Sequence, residues 1–305
     1  MKVNYLPVLK TPVLFLVFNR IDTTELVFET IRNAKPPRLY IACDGARIEK
    51  ENEVEEVKAV RDYVLKNIDW ECSVKTLFRE KNFGCKIAVN NAIDWFFENE
   101  EQGIILEDDC LPSQSFFWFC EEMLNYYKTD MRVFLISGFN KQNTWKKYSS
   151  SYFFSNLGGI WGWASWRDRW KYQNLDMPDL DAFNRNGNFE RLLGRKLGKK
   201  RRNDIVNIQK SINQAWDYQW GYARHKNNGL SCVPVLSLVE NIGFDERATH
   251  TKDYRGITVK RHDFSFPILH NQFFIPDRKY DELFVFGKKY SYRDKFKILV
   301  KRVIN

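Results

Sequence analysis

Three adjacent acids, Glu107-Asp108-Asp109, follow directly on the apolar run Gly103-Ile-Ile-Leu106. Like charges so close together repel, and a hard divalent cation with oxygen ligands would compensate them. One protein carboxylate suffices for such an ion when a diphosphate supplies further oxygens. The plainer alternative is a solvated turn, with Asp109 sitting favourably near a helix N-terminus. Two other apolar runs also stop abruptly at polar groups suited to a nucleotide. Val13 to Phe18 ends in Asn19-Arg20, and Leu39 to Cys43 ends in Asp44-Gly45.

The elements that position these groups follow from hydrophobic period. Residues 11–20 read as a buried strand, and 39–43, 73–78, 103–106, 133–138 and 151–155 as further strands. Between them, Asp22-Thr-Thr24 opens a helix, 49–66 has a helical apolar period (Val54, Val57, Val60, Val64), and 87–97 and 113–127 have helical apolar faces. Strands alternating with helices predict an α/β fold: a Rossmann-like, mixed, mostly parallel sheet flanked by helices. Ligands in such folds collect beyond the carboxyl ends of the strands. All three polar stops fall there. The basic cluster at 191–203, interrupted by Gly194 and Gly198, reads as an exposed loop or helix end. No Pro/Gly/Ser linker or internal repeat is visible. We therefore expect one continuous unit of two functional halves, residues 1–140 and 141–275, followed by a basic tail over 276–305.

Composition narrows the classes. With 305 residues, 44% hydrophobic, 29% charged and 16% aromatic, the chain suits a globular protein with rings to spare for a cleft. Its longest uniformly apolar stretch, Val13 to Phe18, is too short for a bilayer. No charged segment, apolar run and cleavage site mark the N-terminus, so a cytoplasmic location is expected. The six cysteines (43, 72, 85, 110, 120 and 232) have neither zinc nor Cys-x-x-Cys spacing and read as buried thiols in a reducing compartment. The net charge of +9 invites a nucleic-acid reading. Residues 288–305, however, carry seven basic residues against Asp294 alone, so +6 of the +9 belongs to the tail and +3 to everything else. No nucleic-acid partner is expected. Phe296, Leu299, Val300, Val303 and Ile304 share one face of a basic C-terminal helix. That helix suits peripheral contact with an anionic membrane through 288–305, or docking on the protein's own core.

Ile104-Ile-Leu-Glu-Asp-Asp109, with Phe116-Phe117 after it, resembles the metal site of GT-A glycosyltransferases, in particular N-acetylglucosaminyltransferase I and bacterial surface-polysaccharide transferases. The resemblance implies that Asp109 binds Mn²⁺ (or Mg²⁺), while Glu107 and Asp108 face the ribose and donor sugar. Trp216-Asp217-Tyr218-Gln219-Trp220 resembles the family's Trp-Asp-Asp-Trp segment, which implies Asp217 as catalytic base and Trp216 beside the donor. Tyr218 replaces the second Asp, so that role does not transfer. Without the resemblance, Asp217 reads equally as a helix-surface carboxylate between two buried rings. By the same likeness Asp44 accepts a hydrogen bond from uracil, and Lys86 and Asn90 lie on the helix beside the base. Gly158-Gly-Ile-Trp-Gly-Trp163 resembles the loop that floors the sugar pocket, implicating Gly159 and Trp161, although the tryptophans also suit a core. Gly243 through Thr249-His250 resembles the loop over the diphosphate, with His250 either a phosphate or metal contact or structural.

The implied function is metal-dependent transfer of a hexosyl or N-acetylhexosaminyl group from a UDP-sugar to a glycan or lipid-linked saccharide, with inversion, in surface-polysaccharide synthesis. Two other classes compete. A pyrophosphorylase of sugar nucleotides should open with a Gly-rich loop carrying Arg and Lys, whereas Phe18-Asn19-Arg20 has no glycine. A non-catalytic carbohydrate-binding protein would keep the aromatic cleft without needing Asp109 and Asp217.

Overall fold

The computed structural model describes residues 7–145, 149–211, 215–243 and 259–287. Thr249, His250 and the helix expected over 288–305 lie outside them.

The chain starts with β1 (Val13–Val17), α1 (Ile21–Ala34), β2 (Arg38–Cys43), α2 (Glu53–Lys66), β3 (Ser73–Phe78), α3 (Cys85–Asn99) and β4 (Gln102–Glu107). After a tight turn come β5 (Cys110–Pro112), α4 (Gln114–Tyr126), β6 (Val133–Ser137), β7 (Tyr152–Ser155) and β8 (Trp163–Trp166). Helices α5 (Arg167–Trp170), α6 (Leu180–Arg185), α7 (Asn188–Leu193), α8 (Arg195–Lys210) and α9 (Asp217–Lys226) precede β9 (Leu230–Pro234), β10 (Val239–Asn241) and α10 (Arg278–Phe286).

One eight-stranded sheet runs in the order β3-β2-β1-β4-β8-β6-β9-β7. Strands β1, β2, β3 and β4 are mutually parallel, β8 is antiparallel to both β4 and β6, β9 is parallel to β6, and β7 is antiparallel to β9. Only β7 and β8 run backwards, so the sheet is mixed and mostly parallel, as the strand–helix alternation predicts. The sheet continues through both halves of the chain. Residues 276–286, read from sequence as the start of a tail, pair and pack onto it: Pro276 bridges to Phe154, and Tyr280 is buried against Phe153.

The period-2 pattern of β1 builds the two layers. Val13, Phe15 and Val17 pack with Val27, Phe28 and Ile31 of α1, Val57 and Val60 of α2, and Phe116 and Phe119 of α4. Leu14 and Leu16 face the other side, against Ile93, Phe96 and Phe97 of α3 and the rings of Trp163, Trp170, Trp216 and Trp220. A strand buried on both faces has no polar position to spare, which is why the sequence shows an unbroken apolar run. No helix among the described residues is long and apolar enough to cross a membrane.

The basic cluster is helical rather than a loop. Gly194, at φ 79°, separates α7 from α8, and residues 195–203 form the first half of a 16-residue helix. Gly198 lies inside that helix because any Cβ there would come within 2.5 Å of the Phe189 carbonyl oxygen, so glycine lets α8 close onto α7. The sequence pattern suggests a break at both glycines, and packing overrides it at the second.

Candidate active site

The strand order reverses between β1 and β4, and the crevice beyond their carboxyl ends is where open α/β sheets bind ligands. Glu107 is the last residue of β4, and Asp108 and Asp109 form the turn into β5. That turn is pinned from two sides. The Phe18 N–H, just past β1, donates to Asp108 Oδ2 at 3.1 Å. Strand β5 pairs antiparallel with β10, and the Ile242 N–H donates to the Asp109 carbonyl at 2.8 Å. The three acids therefore do not run straight into a helix: a three-residue strand intervenes, and it is β10, from the far end of the chain, that fixes Asp109.

Among the described residues, Arg20 is the cation beside these acids. Arg20 Nη1 lies 3.9 Å from Asp109 Oδ2 and donates to the Gly243 carbonyl at 3.3 Å. Burial, then Asp109, Asp108 and Asp217, push the Glu107 carboxyl well above the usual range. Burial and Asp109 push Asp108 up to about 7, against the Phe18 N–H and Arg20. Burial also raises Asp109, opposed by the Cys110 thiol, Arg20 and the Asn241 side chain. Asp217, remote in sequence, is near enough to add a repulsive charge to Glu107, and it lines a cavity of its own. Cys85, the first residue of α3, has its thiol pushed up to about 12 by burial and by Glu107, Asp217, Asp109 and Asp44. It stays protonated at neutral pH and has no nucleophilic character. All six cysteines are free.

The remaining strand ends are more committed. Both oxygens of Asp44, 9% exposed, accept the Phe83 N–H at 3.1 and 3.0 Å, and Oδ2 accepts the Gly84 N–H at 3.0 Å. The carboxylate thereby holds the N-terminus of α3 against β2. Asn19 does not point its amide into the crevice: it donates to Glu53 at 3.1 Å and Glu56 at 3.2 Å on α2. Asn90 is likewise spent inside the fold, donating to Asp94 at 2.8 Å and accepting from Gln173 at 2.9 Å. Lys86 is half-buried in the first turn of α3.

A cavity of about 170 Å³ opens beside Asp217, with Gly159, Trp161, Phe139, Arg201 and Arg224 in its wall. Helix α9 splits into two faces. Trp216, Trp220 and Ala223 (i, i+4, i+7) face the core, while Asp217, Gly221 and Arg224, one position on, face the cavity. Trp216 is 3% exposed, its ring centroid 6.0 Å from that of Trp163, so it serves the core and not a donor. Its role is to aim Asp217, which begins the helix, where the dipole favours negative charge. The tryptophans of the 158–163 loop divide similarly: Trp163 is fully buried, whereas Trp161 lines the cavity 4.4 Å from the Phe139 ring. Ser137 Oγ donates to the Gly159 carbonyl at 2.8 Å and fixes the loop on β6.

Sequence reasoning missed Lys141, Arg201 and Arg224, which also line the cavity, and Cys85 between the acids. Arg224 was within reach, because its spacing from Asp217 puts both on one helix face. Arg201 was hidden in a basic run that reads as solvated surface.

The fold and site define a Rossmann-like α/β protein with an acidic crevice at its switch point. No protein-family model and no curated protein matches the chain. Among solved structures, the apo form of UDP-glucose pyrophosphorylase shares 10% identity over 76% of this chain and 93% of its own, with a TM-score of 0.36. A cytidylyltransferase from Leptospira borgpetersenii serovar Hardjo-bovis shares 10% over 67% and 72% (TM-score 0.34), and HddC from Yersinia pseudotuberculosis 9% over 52% and 78% (TM-score 0.32). At these scores the likeness is too distant to assign a function.

Proposed function

We propose that the protein is a metal-dependent glycosyltransferase of the GT-A kind, moving a sugar from a nucleoside diphosphate, UDP in the first instance, to a glycan or lipid-linked saccharide. The observation that carries this reading is the triplet Glu107, Asp108 and Asp109 at the carboxyl end of β4, beside the point where the strand order reverses, with Arg20 Nη1 3.9 Å from Asp109.

The donor set suits a hard cation. Among the described residues no group of three or more His, Cys, Asp or Glu side chains is arranged to chelate an ion alone. Asp109 would therefore hold Mn²⁺ or Mg²⁺ with phosphate oxygens and water as the other ligands. The ion supplies positive charge where the diphosphate leaves. Glu107 and Asp108 contact the ribose and donor sugar, and Arg20 balances charge beside the phosphates. Asp217 takes the proton of the acceptor hydroxyl as its oxygen bonds to the anomeric carbon and the bond to the phosphate oxygen breaks. One base and in-line attack give inversion. Trp161 and Gly159 shape the sugar pocket.

The test is a panel of UDP-sugars incubated with Mn²⁺ and oligosaccharide acceptors, read by UDP release and product mass. UDP release coupled to a glycosylated product supports the reading. In a parallel incubation with added pyrophosphate, formation of UTP and sugar 1-phosphate, without transfer in the first, replaces it with a pyrophosphorylase.

A further inference from the structure

The cavity beside Asp217 carries an excess of positive charge. Lys141, Arg201 and Arg224 line it, against Asp217 as its acid. Arg224 is 3% exposed, and its Nη1 donates to Ser231 Oγ and to the Leu157 carbonyl. Its Nε is buried without a hydrogen-bond partner, and so is that of Arg201. Neither arginine has a carboxylate within ion-pair distance among the described residues. Lys141 Nζ donates to the Phe284 carbonyl at 2.7 Å, which leaves further donors. Buried guanidinium N–H groups without acceptors are expensive to keep, and a fold retains them where a ligand completes them.

The cost of this arrangement is visible in Arg224 itself. Burial, then the nearby Arg201, lower its guanidinium to about 9, even with Asp217 and Asp281 acting in the opposite direction. Asp281 is occupied, accepting from Ser155 Oγ and from both nitrogens of Asn156. Arg201 reaches the cavity by lying across α9, 5.3 Å over the Tyr218 ring, with Nη2 only 3.0 Å from where a Cβ at Gly221 would stand. A larger residue at 221 would push it away. The fold thus places two guanidinium forks and an ammonium around one space, the geometry that oxyanions fill best.

We propose that this cavity is a subsite for an oxyanion, a carboxylate or a phosphate, carried by the sugar that enters beside Asp217. At about 170 Å³ the space is small beside the ~300–1,000 Å³ of drug-sized ligand sites, so it takes one end of a ligand and not a whole nucleotide. Trp161 and Phe139 give it an apolar wall for a ring face, and the arginines read the substituent. The substrate class is then an acidic sugar, a uronic acid or a sugar phosphate. That the oxyanion belongs to a sugar rests on the transferase reading; that the cavity takes an oxyanion does not.

The experiment titrates the full chain, without nucleotide, with glucuronate, glucose 6-phosphate, glucose and inorganic phosphate by calorimetry or ligand-observed NMR. Glucuronate or glucose 6-phosphate should bind at least about tenfold more tightly than glucose, and the tighter of the two identifies the anion. Arg201→Met keeps the aliphatic stem and removes no hydrogen bond among the described residues. With the melting temperature checked, because the variant also loses the contact with the Tyr218 ring, it should erase the preference, and Arg201→Lys should restore part of it. Equal binding of glucose and the anionic sugars, or full binding by Arg201→Met, overturns the subsite. Inorganic phosphate binding as tightly as glucose 6-phosphate overturns its assignment to a sugar. UDP–Mn²⁺ binding, followed in parallel by thermal shift, reports on the acidic crevice separately, so a failure of the transferase reading shows there and not in the anion titrations.

Discussion

Replacing Gly243 by alanine should disable the acidic crevice while leaving the fold intact. A Cβ at 243 would stand 2.2 Å from Asp109 Oδ2, 2.9 Å from Asp109 Cβ and 2.9 Å from Arg20 Nη1. Gly243 does not have a left-handed backbone, so alanine can adopt its conformation and the strain falls on the two side chains. An ordinary contact requires the Asp109 oxygen to withdraw by about 1 Å, and disturbing the groups that orient a metal ligand costs about 10- to 100-fold in metal affinity. Moving the carboxylate from 3.9 Å to about 5 Å from Arg20 also weakens their attraction, from about 4 to about 3 kcal/mol at an effective dielectric of ~20. The expected outcome is a loss of about 10²-fold in UDP affinity with Mn²⁺ present, about 2.7 kcal/mol, measured by calorimetry. The melting temperature should stay close to that of the parent. Affinity within about threefold of the parent would refute the claim that Asp109 must hold this position.

Asp217→Asn should bind UDP-sugar normally yet transfer about 10²-fold more slowly or worse, because the neutral amide cannot take the acceptor proton; turnover at the parent rate would remove Asp217 from the mechanism. Arg47→Ala should destabilise the fold by about 2 kcal/mol, since Arg47 gives buried Glu53 its side-chain hydrogen bonds and its backbone N–H (2.7 Å) at the start of α2; urea melts read this directly. Burial alone would raise the Glu53 carboxyl, but Arg47 overrides it and holds the pKa below 4.5. A carboxyl lowered in the folded state adds stability above its unfolded pKa and loses it as pH falls through the folded value. The parent should therefore lose this increment below about pH 4.5, and the stability of Arg47→Ala should depend less on pH there; parallel acid limbs would contradict the pairing.

Three strands of the parallel half were legible because they are buried and stop sharply at polar residues: Val13–Val17, Leu39–Cys43 and Gly103–Leu106 needed no tertiary information, whereas the edge strand β3 is largely exposed. Strand β8 was not, because Trp163–Trp166 is four residues long and lacks a β-branched side chain. Strands β5 and β10 are three residues each and exist only by pairing with one another across more than a hundred residues of chain. That pairing fixes Asp109, so the position of the sharpest motif in the sequence depends on a segment with no signal of its own. Asn19, Asn90 and Trp216 show the reverse case. A strand-end position (Asn19) and the family resemblance (Asn90, Trp216) made them candidate contacts, but neither reveals that neighbouring side chains have already taken their amides or covered the ring. The basic run 191–203 reads as an exposed loop or helix end, and nothing in it shows that Gly221 lets Arg201 lie across α9 into the cavity.

The most direct test of the central claim is UDP binding to the parent protein and to Asp109→Ala, each with Mn²⁺ and again with the ion removed by chelation. The parent should lose at least about tenfold in affinity on chelation, about 1.4 kcal/mol, while Asp109→Ala should bind weakly and equally in both conditions. A parent that binds UDP equally well with and without Mn²⁺, or an Asp109→Ala variant that keeps the full metal-dependent gain, would contradict the account.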